Sequence, residues 1–284
     1  MTRVLTRAVA TPSPSNCTLV DKAFADFRGQ LKEGYDRAYF DSHERRYRQC
    51  IQRVLSLVPA GSRVLDIGSH YLHQSGLLRL LGYEVWALDV PAFTQLDFVK
   101  GRAQELAIRL SSAFQLESGE FLSDQDGSFD LVLFCEIMEH ITFNPIGFWK
   151  RVYELLKVNG RVYITTPNSL RLLNLLSTIK RAICLQGIGT DVPSIFGNVT
   201  YGHHWKEYSD KEVIRYFALL SPDFHVDVRF YHYRVYSNIH TAKDVARHLT
   251  RLLGKGLRKF DEELEIVVTL ERRSCFLGQT PAYG

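Results

Sequence analysis

The sequence predicts an α/β fold in which a doubly wound, mostly parallel sheet carries helices on both faces. Short apolar runs alternate with longer helical stretches through the middle of the chain, which is the strand–helix–strand pattern of parallel sheets. The composition, 45% hydrophobic and 23% charged over 284 residues, is that of a globular protein with a sizeable core. We find no internal repeat, so solenoid and propeller folds are disfavoured.

Two segments precede the predicted sheet. Residues 1–20 hold Arg3 and Arg7, no acidic residue and a Pro/Ser/Thr patch, which favours a flexible tail over a transit peptide. Residues 21–60 have a helical pattern rich in aromatic side chains and end at Pro59-Ala60-Gly61. We therefore expect an N-terminal helical cap at 21–60 and a main domain at 61–284.

Within the main domain, the elements follow one another in a regular order. The predicted strands are 63–67, 84–90, 129–134 and 160–166, and the predicted helices are 77–81, 96–112 and 145–156. Asn144 is expected to cap the third of these helices with Pro145 at its first position, and Ser209 with Glu212 to form a capping box.

The carboxyl-terminal part adds two predicted strands, 224–233 and 265–270, around a basic helix at 242–259, and an antiparallel strand is expected there. The helix has apolar residues at i, i+4, i+7 and i+8, which predicts a buried side formed by Val245, Leu249, Leu252 and Leu253. Its basic residues either track phosphate or form a solvated face, and the second interpretation is favoured; they are Lys243, Arg247, Arg251, Lys255, Arg258 and Lys259.

Ligands of open parallel sheets bind at the carboxyl ends of the strands, where this sequence places glycine and acidic residues. The first strand ends in Val64-Leu65-Asp66-Ile67-Gly68, Gly82 follows fourteen residues later, and the second strand ends at Asp89. With the strand blocks at 127–134 and 155–164, this resembles the class I S-adenosylmethionine-dependent methyltransferases, whose sheet is Rossmann-like. NAD-type dinucleotide binding is the rival for the first segment alone.

The resemblance implies S-adenosylmethionine as the cofactor. Gly68 would let the backbone approach it, and Asp89 would accept hydrogen bonds from its ribose hydroxyls. The implied cofactor-binding residues are Asp66, Gly68, Ser69, His70, Asp89, Val90, Cys135 and Glu136. His70 and Leu72 stand where the family has small residues, so a non-catalytic, methyltransferase-like binding protein stays open as an alternative.

A cluster of ligand-type residues follows the fourth strand, at Glu136-Ile137-Met138-Glu139-His140. If this segment is helical, its carboxylates and imidazole share one face, and such oxygen and nitrogen donors suit Mg²⁺ or Mn²⁺. Two further motifs lie downstream. The first is Thr165-Thr166-Pro167-Asn168, and the second, at 202–209, contains the histidine pair His203-His204.

Together these motifs resemble two groups, the small-RNA 3′-terminal 2′-O-methyltransferases and the bacterial methyltransferases similar to ubiquinone-pathway O-methyltransferases. The resemblance implies a metal set of Glu136, Glu139, His140 and His204, with His203 as the alternative to His204. Without a metal, the catalytic bases would be His140, His204 or His203.

The segment at 169–201 is unusually apolar for the rim of a site, and we predict a lid insertion there, over an apolar or lipid-linked acceptor. A core helix or a homodimer contact is the more common origin of such a segment. A net charge of +4 without dense basic clusters favours a small-molecule or glycan acceptor over RNA.

Five cysteines without a CxxC pair indicate free thiols and a cytoplasmic location, and the apolar runs are too short for stable membrane insertion. The sequence hypothesis is therefore O-methylation of a small-molecule, sugar or lipid-linked hydroxyl. RNA 3′-terminal 2′-O-methylation and ligand binding without catalysis are the alternatives.

Overall fold

The strands form one seven-stranded sheet in the order β3-β2-β1-β4-β5-β7-β6. The computed structural model describes residues 14–190, 192–199, 202–232, 241–279 and 281. The strands are β1 (Arg63–Ile67), β2 (Glu84–Asp89), β3 (Arg109–Ser112), β4 (Phe129–Cys135), β5 (Leu156–Pro167), β6 (Phe224–Tyr231) and β7 (Glu263–Leu270). β1 to β5 pair in parallel, whereas β7 runs antiparallel to both β5 and β6. The predicted fold class is confirmed.

Ten α-helices lie in the described residues and cover both faces of this sheet. They are α1 (Pro14–Gly29), α2 (Tyr35–Leu57), α3 (His73–Leu80), α4 (Pro91–Thr94), α5 (Asp97–Glu105), α6 (Ile146–Leu155), α7 (Leu172–Ile183), α8 (Val192–Gly197), α9 (Asp210–Leu220) and α10 (Ala242–Gly256). The capping box of Ser209 and Glu212 opens α9 as predicted. Pro145, not Asn144, is the N-cap of α6, although the Asn144 side chain still accepts a hydrogen bond from the Ile146 N–H at 3.1 Å.

Two boundaries differ from the sequence prediction. The helix expected over 96–112 ends after α5, because Ala107 takes a left-handed φ of 52° and the chain then pairs with β2 as the edge strand β3. Four residues are too few for a visible alternation, so only the pairing reveals this strand. Residues 14–20 of the predicted tail belong to α1, which begins at Pro14, and residues 1–13 lie outside the described residues.

The core has two apolar layers, one on each side of the sheet. The cap helices α1 and α2 cover one side together with α3, and α6 and α9 cover the other. Gly76 of α3 fits against the Phe27 ring of α1 so closely that a Cβ would lie 2.1 Å from it. The predicted cap is therefore an integral part of the core rather than an appendage.

The amphipathic helices α7 and α10 depart from expectation. The predicted buried side of α10 is wrong, because its four apolar residues are 43 to 63% exposed; they are Val245, Leu249, Leu252 and Leu253. α7 has no buried residue, which also excludes a core role for it within this chain. α10 meets α7 through Gly254, which leaves no room for a side chain beside Leu172 and the Phe260 carbonyl. The side chains of Lys243 and Arg247, and Tyr233 at the predicted end of β6, lie outside the described residues.

None of the helices in the described part of the chain is both long and apolar enough to cross a bilayer.

Candidate active site

A cavity of about 1360 Å³ opens at the carboxyl ends of β1, β2 and β4. The parallel strands end together at this edge, so side chains that are distant in sequence converge there. Every residue predicted to bind the cofactor lines the cavity, namely Asp66, Gly68, Ser69, His70, Asp89, Val90, Cys135 and Glu136. All four predicted metal ligands line it too, because Glu136 belongs to both sets and the other three are Glu139, His140 and His204.

The loop after β1 keeps a glycine-like path although two small residues are replaced. Gly68 has a φ of 77°, and a Cβ there would lie 2.3 Å from the Ile137 side chain. His70 and Leu72 also have positive φ angles, 48° and 61°, in the region that glycine occupies at little cost. The larger side chains therefore occupy the backbone conformation that glycine favours.

Asp89 is held in place by backbone groups of this loop. Its Oδ2 accepts a hydrogen bond from the His70 N–H at 2.6 Å, and its Oδ1 accepts one from the Val90 N–H at 2.7 Å. A carboxylate has about four acceptor sites, so both oxygens keep capacity for ligand hydroxyls. Burial raises the pKa of Asp89.

Asp66 lies deeper than Asp89 and is tied to α3. The Ser75 hydroxyl donates to its Oδ2 at 2.6 Å. Burial raises the pKa of Asp66 to about 7, the Ser75 hydrogen bond opposes this shift, and the nearby charge of Asp89 adds to it. Asp66 thus connects the cofactor edge of the sheet to the helix behind it.

The cap contributes a wall that the sequence analysis did not assign to the site. Tyr39, His43, Arg46 and Tyr47 of α2 line the cavity. The ring of Tyr39 stacks on that of His43 at 4.2 Å and lies 4.6 Å from that of His70. Their spacing of i, i+4, i+7 and i+8 places all four on one helix face. This spacing is visible in the sequence and could have predicted that the four side chains act together.

The segment that begins at Glu136 does not form the helix on which the predicted shared face of its carboxylates and imidazole depends. Glu136 has a φ of 56°, and one 3₁₀ turn covers Met138–His140. The left-handed residue separates the two carboxylates. Glu136 pairs with Arg46 at 3.6 Å, whereas Glu139 is directed elsewhere and is 1% exposed.

Glu139, His140 and His204 come together instead, with one donor atom from each lying within 4.8 Å of the others. The Thr166 hydroxyl donates to Glu139 Oε2 at 2.9 Å. Burial raises the pKa of Glu139 well above its usual range, and the charge of Glu136 contributes to the shift. The structure therefore assembles three of the four predicted metal ligands and leaves Glu136 outside the group.

Hydrogen bonds orient both histidines of this group. His140 Nδ1 donates to the His203 carbonyl at 2.9 Å, since a carbonyl can only accept. His204 Nδ1 donates to Glu207 Oε1 at 3.0 Å, and Arg171 pairs with the same oxygen at 2.9 Å. In the neutral rings each Nε2 then carries a lone pair, which is the form that binds metals or accepts protons.

These contacts test whether the group fits a divalent cation. A buried carboxylate and two oriented imidazole nitrogens are a donor set for a divalent transition ion such as Mn²⁺ and suit Mg²⁺, which prefers oxygen ligands, less well. The carboxylate accepts a hydrogen bond from the neutral Thr166 hydroxyl. The three residues fit such an ion.

The ring of His203, predicted as an alternative metal ligand or catalytic base, does not reach the cavity. Its ring is 4% exposed, lies 5.1 Å from the ring of Trp205 and does not line the cavity. What it offers to the site is its backbone carbonyl, which orients His140.

Comparison with known proteins adds a family match. A family model described as a methyltransferase domain matches residues 39–255. Among curated proteins, the ubiquinone biosynthesis O-methyltransferase of Xanthomonas axonopodis pv. citri is 33% identical over 114 residues, which is 39% of this chain and 46% of that protein. Its counterpart in Xanthomonas campestris pv. campestris is 32% identical over 110 residues, or 38% and 44%. The chain thus matches less than half the length of these relatives.

Solved structures share the fold at low identity. A SAM-dependent methyltransferase of Archaeoglobus fulgidus superposes with a TM-score of 0.52 and 16% identity, over 83% of this chain and all of that one. Phosphoethanolamine N-methyltransferase 2 of Haemonchus contortus, bound to phosphomonomethylethanolamine and S-adenosylhomocysteine, has a TM-score of 0.50 at 16% identity, over 87% and 61%.

Proposed function

The chain belongs to the S-adenosylmethionine-dependent methyltransferases of the methyltransferase-domain family, and we propose that it methylates a hydroxyl oxygen of a small-molecule, sugar or lipid-linked acceptor. One observation carries this proposal. A single cavity joins the cofactor edge at Gly68 and Asp89 to the group of Glu139, His140 and His204. Donor and acceptor can therefore meet inside one enclosure.

The cofactor edge supports a specific division of roles. Asp89, oriented by two backbone N–H groups, would accept the ribose hydroxyls, and the loop around Gly68 would lie against the cofactor. The Arg46–Glu136 pair lies on the cap side of the same cavity and offers one charge of each sign to the amino-acid end of the cofactor. The sulfonium already activates the methyl group, so the protein has mainly to align the acceptor oxygen with it.

The second group prepares that acceptor oxygen. Glu139, His140 and His204 would hold a divalent ion such as Mn²⁺, which when bound orients a hydroxyl or diol and lowers the hydroxyl pKa. The Glu207 carboxylate fixes the orientation of the His204 ring, and the His203 carbonyl fixes that of the His140 ring. If no ion binds, the Nε2 atoms of His140 and His204 are the positioned bases for the departing proton.

Calorimetry with S-adenosylmethionine and with Mn²⁺ separates the two halves of the proposal. We expect Asp89→Ala to weaken cofactor binding at least tenfold, because charge-assisted hydrogen bonds contribute about 1.5–3 kcal/mol. Glu139→Gln should abolish Mn²⁺ binding, and Glu207→Gln should weaken it about 10- to 100-fold by releasing His204. Asp97→Asn and Glu120→Gln, at exposed positions outside the cavity, are the matched controls.

Methyl transfer from labelled cofactor to a panel of phenolic, glycan and lipid-linked hydroxyls then tests the reaction itself. Transfer that survives EDTA and Glu139→Gln would eliminate the metal and leave the histidine route. Absence of cofactor binding by the wild-type chain would refute the function. A steep loss of activity with salt on an RNA substrate would replace the small acceptor by RNA.

A further inference from the structure

Exposed apolar side chains are concentrated on residues 170–199, the predicted lid segment that we call the lid, and on residues 245–257 of α10 and its carboxyl end. Fifteen of the twenty-three large apolar side chains that are exposed in the described residues lie there. We call these fifteen the lid face: Leu170, Leu176, Ile179, Ile183, Leu185, Ile188, Val192, Ile195, Phe196, Val199, Val245, Leu249, Leu252, Leu253 and Leu257. Scattered apolar residues need no explanation, but a concentration of this kind marks an interaction surface.

The same segments hold the basic excess of the chain. Residues 169–199 and 241–259 contain nine Lys or Arg and two Asp, an excess of seven, whereas the whole chain has a net charge of +4. The remaining sequence is therefore net acidic by three. Exposed positive charges beside the lid face include Lys180, Lys255, Arg258 and Lys259.

The arrangement of apolar residues on α7 and α10 suits a lipid interface. The exposed apolar residues of α7 lie at i, i+3 and i+7, and those of α10 at i, i+4, i+7 and i+8, so each helix presents an apolar stripe outward. The two helices pack together at Gly254 and Leu172. Outward apolar stripes flanked by lysine and arginine are the pattern of helices that lie in the plane of a membrane interface.

The lid is also connected to the candidate active site. Arg171 and the Asn174 amide both contact Glu207, the carboxylate that orients His204. The Thr190 hydroxyl donates to the His204 carbonyl at 3.4 Å. The predicted lid segment is therefore hydrogen-bonded to His204, which lines the cavity, and to the carboxylate that orients it.

We propose that the lid face docks on an anionic lipid bilayer, so that the cavity opens toward acceptors held at the membrane surface. Positive charge around an apolar surface complements anionic headgroups, and each basic residue near such a surface contributes to binding. A second copy of the chain fits less well, because a face-to-face dimer would bring two basic excesses together. The docking itself does not depend on the proposed reaction, although its use in catalysis does.

Vesicle co-sedimentation with the full chain tests this inference. Phosphatidylcholine vesicles containing about one-third phosphatidylglycerol should bind the protein, pure phosphatidylcholine vesicles should bind it weakly, and salt should reduce the binding. We expect the double variant Lys255→Glu with Lys259→Glu to bind at least fivefold more weakly. The double variant Ile183→Asp with Phe196→Asp should lose binding at any salt concentration.

Lys211→Glu and Leu219→Asp are the matched controls, since both residues are exposed on α9, outside the lid face. All substituted side chains are exposed, so thermal unfolding should show the same midpoint for every variant. Vesicle binding that the lid-face variants leave unchanged, or no binding to anionic vesicles, would overturn the proposal. A dimer in equilibrium sedimentation that the lid-face variants dissociate would assign the surface to a second copy instead.

Loss of vesicle binding with intact S-adenosylmethionine binding would separate this inference from the proposed function. A chain that binds vesicles but not the cofactor would leave docking standing and refute the reaction.

Discussion

At the scale of single residues, the cofactor loop shows how a backbone conformation can persist without its usual residue type. Leu72 is fully buried and left-handed, so the loop combines an unfavourable φ with favourable core packing. A left-handed conformation costs a residue with a Cβ about 1–2 kcal/mol, and burying a leucine recovers more than that. The loop path is therefore supported by the core below it.

This balance predicts that a glycine variant at position 72 is more stable than the alanine variant, which is the opposite of the usual order within a helix. Leu72→Ala should destabilise the fold by about 2–5 kcal/mol, because it removes the core side chain and keeps the backbone cost. Leu72→Gly removes the same side chain but releases that cost, so it should be about 1 kcal/mol more stable than the alanine variant. Urea denaturation measures both.

Leu77, fully buried within α3, is the control for this pair. At a helical position the glycine variant should be the less stable of the two, by about 0.5–1 kcal/mol. The same rank order of alanine and glycine at both positions would contradict the account of the loop.

At the scale of elements, a buried ionic cluster attaches the cap to the sheet domain. Asp36 of α2 bonds to His73 of α3 at 2.7 Å and to Arg102 of α5 at 2.6 Å, and all three side chains are nearly inaccessible. The hydrogen bonds and the Arg102 charge hold the pKa of Asp36 below its usual range, despite the opposing effect of burial. Three helices are thereby joined at one carboxylate beside the site.

Asp36→Asn should destabilise the protein by about 3–5 kcal/mol, since it leaves the Arg102 guanidinium buried without its counter-charge. Because α2 forms one wall of the cavity, cofactor binding should weaken as well. Glu33→Gln breaks only a pair with Arg37 in which Glu33 is 84% exposed, and it should cost under about 0.5 kcal/mol. Equal effects of the two substitutions in urea denaturation would show that the cluster does not attach the cap.

At the scale of the whole molecule, the buried Asp66 links global stability to pH. Its pKa is about 7 in the folded protein and near 3.8 in an ordinary environment. Between about pH 4 and 7 the folded state retains a proton that the unfolded chain has released. Stability should therefore fall as pH rises through this window, by roughly 4 kcal/mol from this group, and level off above pH 7.

Asp66→Asn should remove that part of the slope when unfolding free energies are compared between pH 5 and 8 in the absence of ligands. Ser75→Ala deletes the hydroxyl that stabilises the carboxylate, so it should extend the decline to higher pH. A slope that neither variant alters would mean that another group governs the pH dependence.

Much of the fold could be predicted from the sequence because its signals are local. The β1 segment and the capping box at Ser209 depend on residues within a few positions of each other. The edge strand β3 could not be predicted, because four residues acquire strand structure only by pairing with β2.

The candidate site divides in the same way. By itself the sequence determined strands β1, β2, β4 and β5, the glycine and acidic residues at their carboxyl ends, and hence the predicted cofactor-binding residues, all of which line the cavity. Only the tertiary structure decided that Glu136 joins Arg46 while Glu139 joins His140 and His204, and that the apolar side of α10 faces outward. The reason is physical: periodicity states which residues share a face, but a left-handed φ and partners many residues away determine what that face meets.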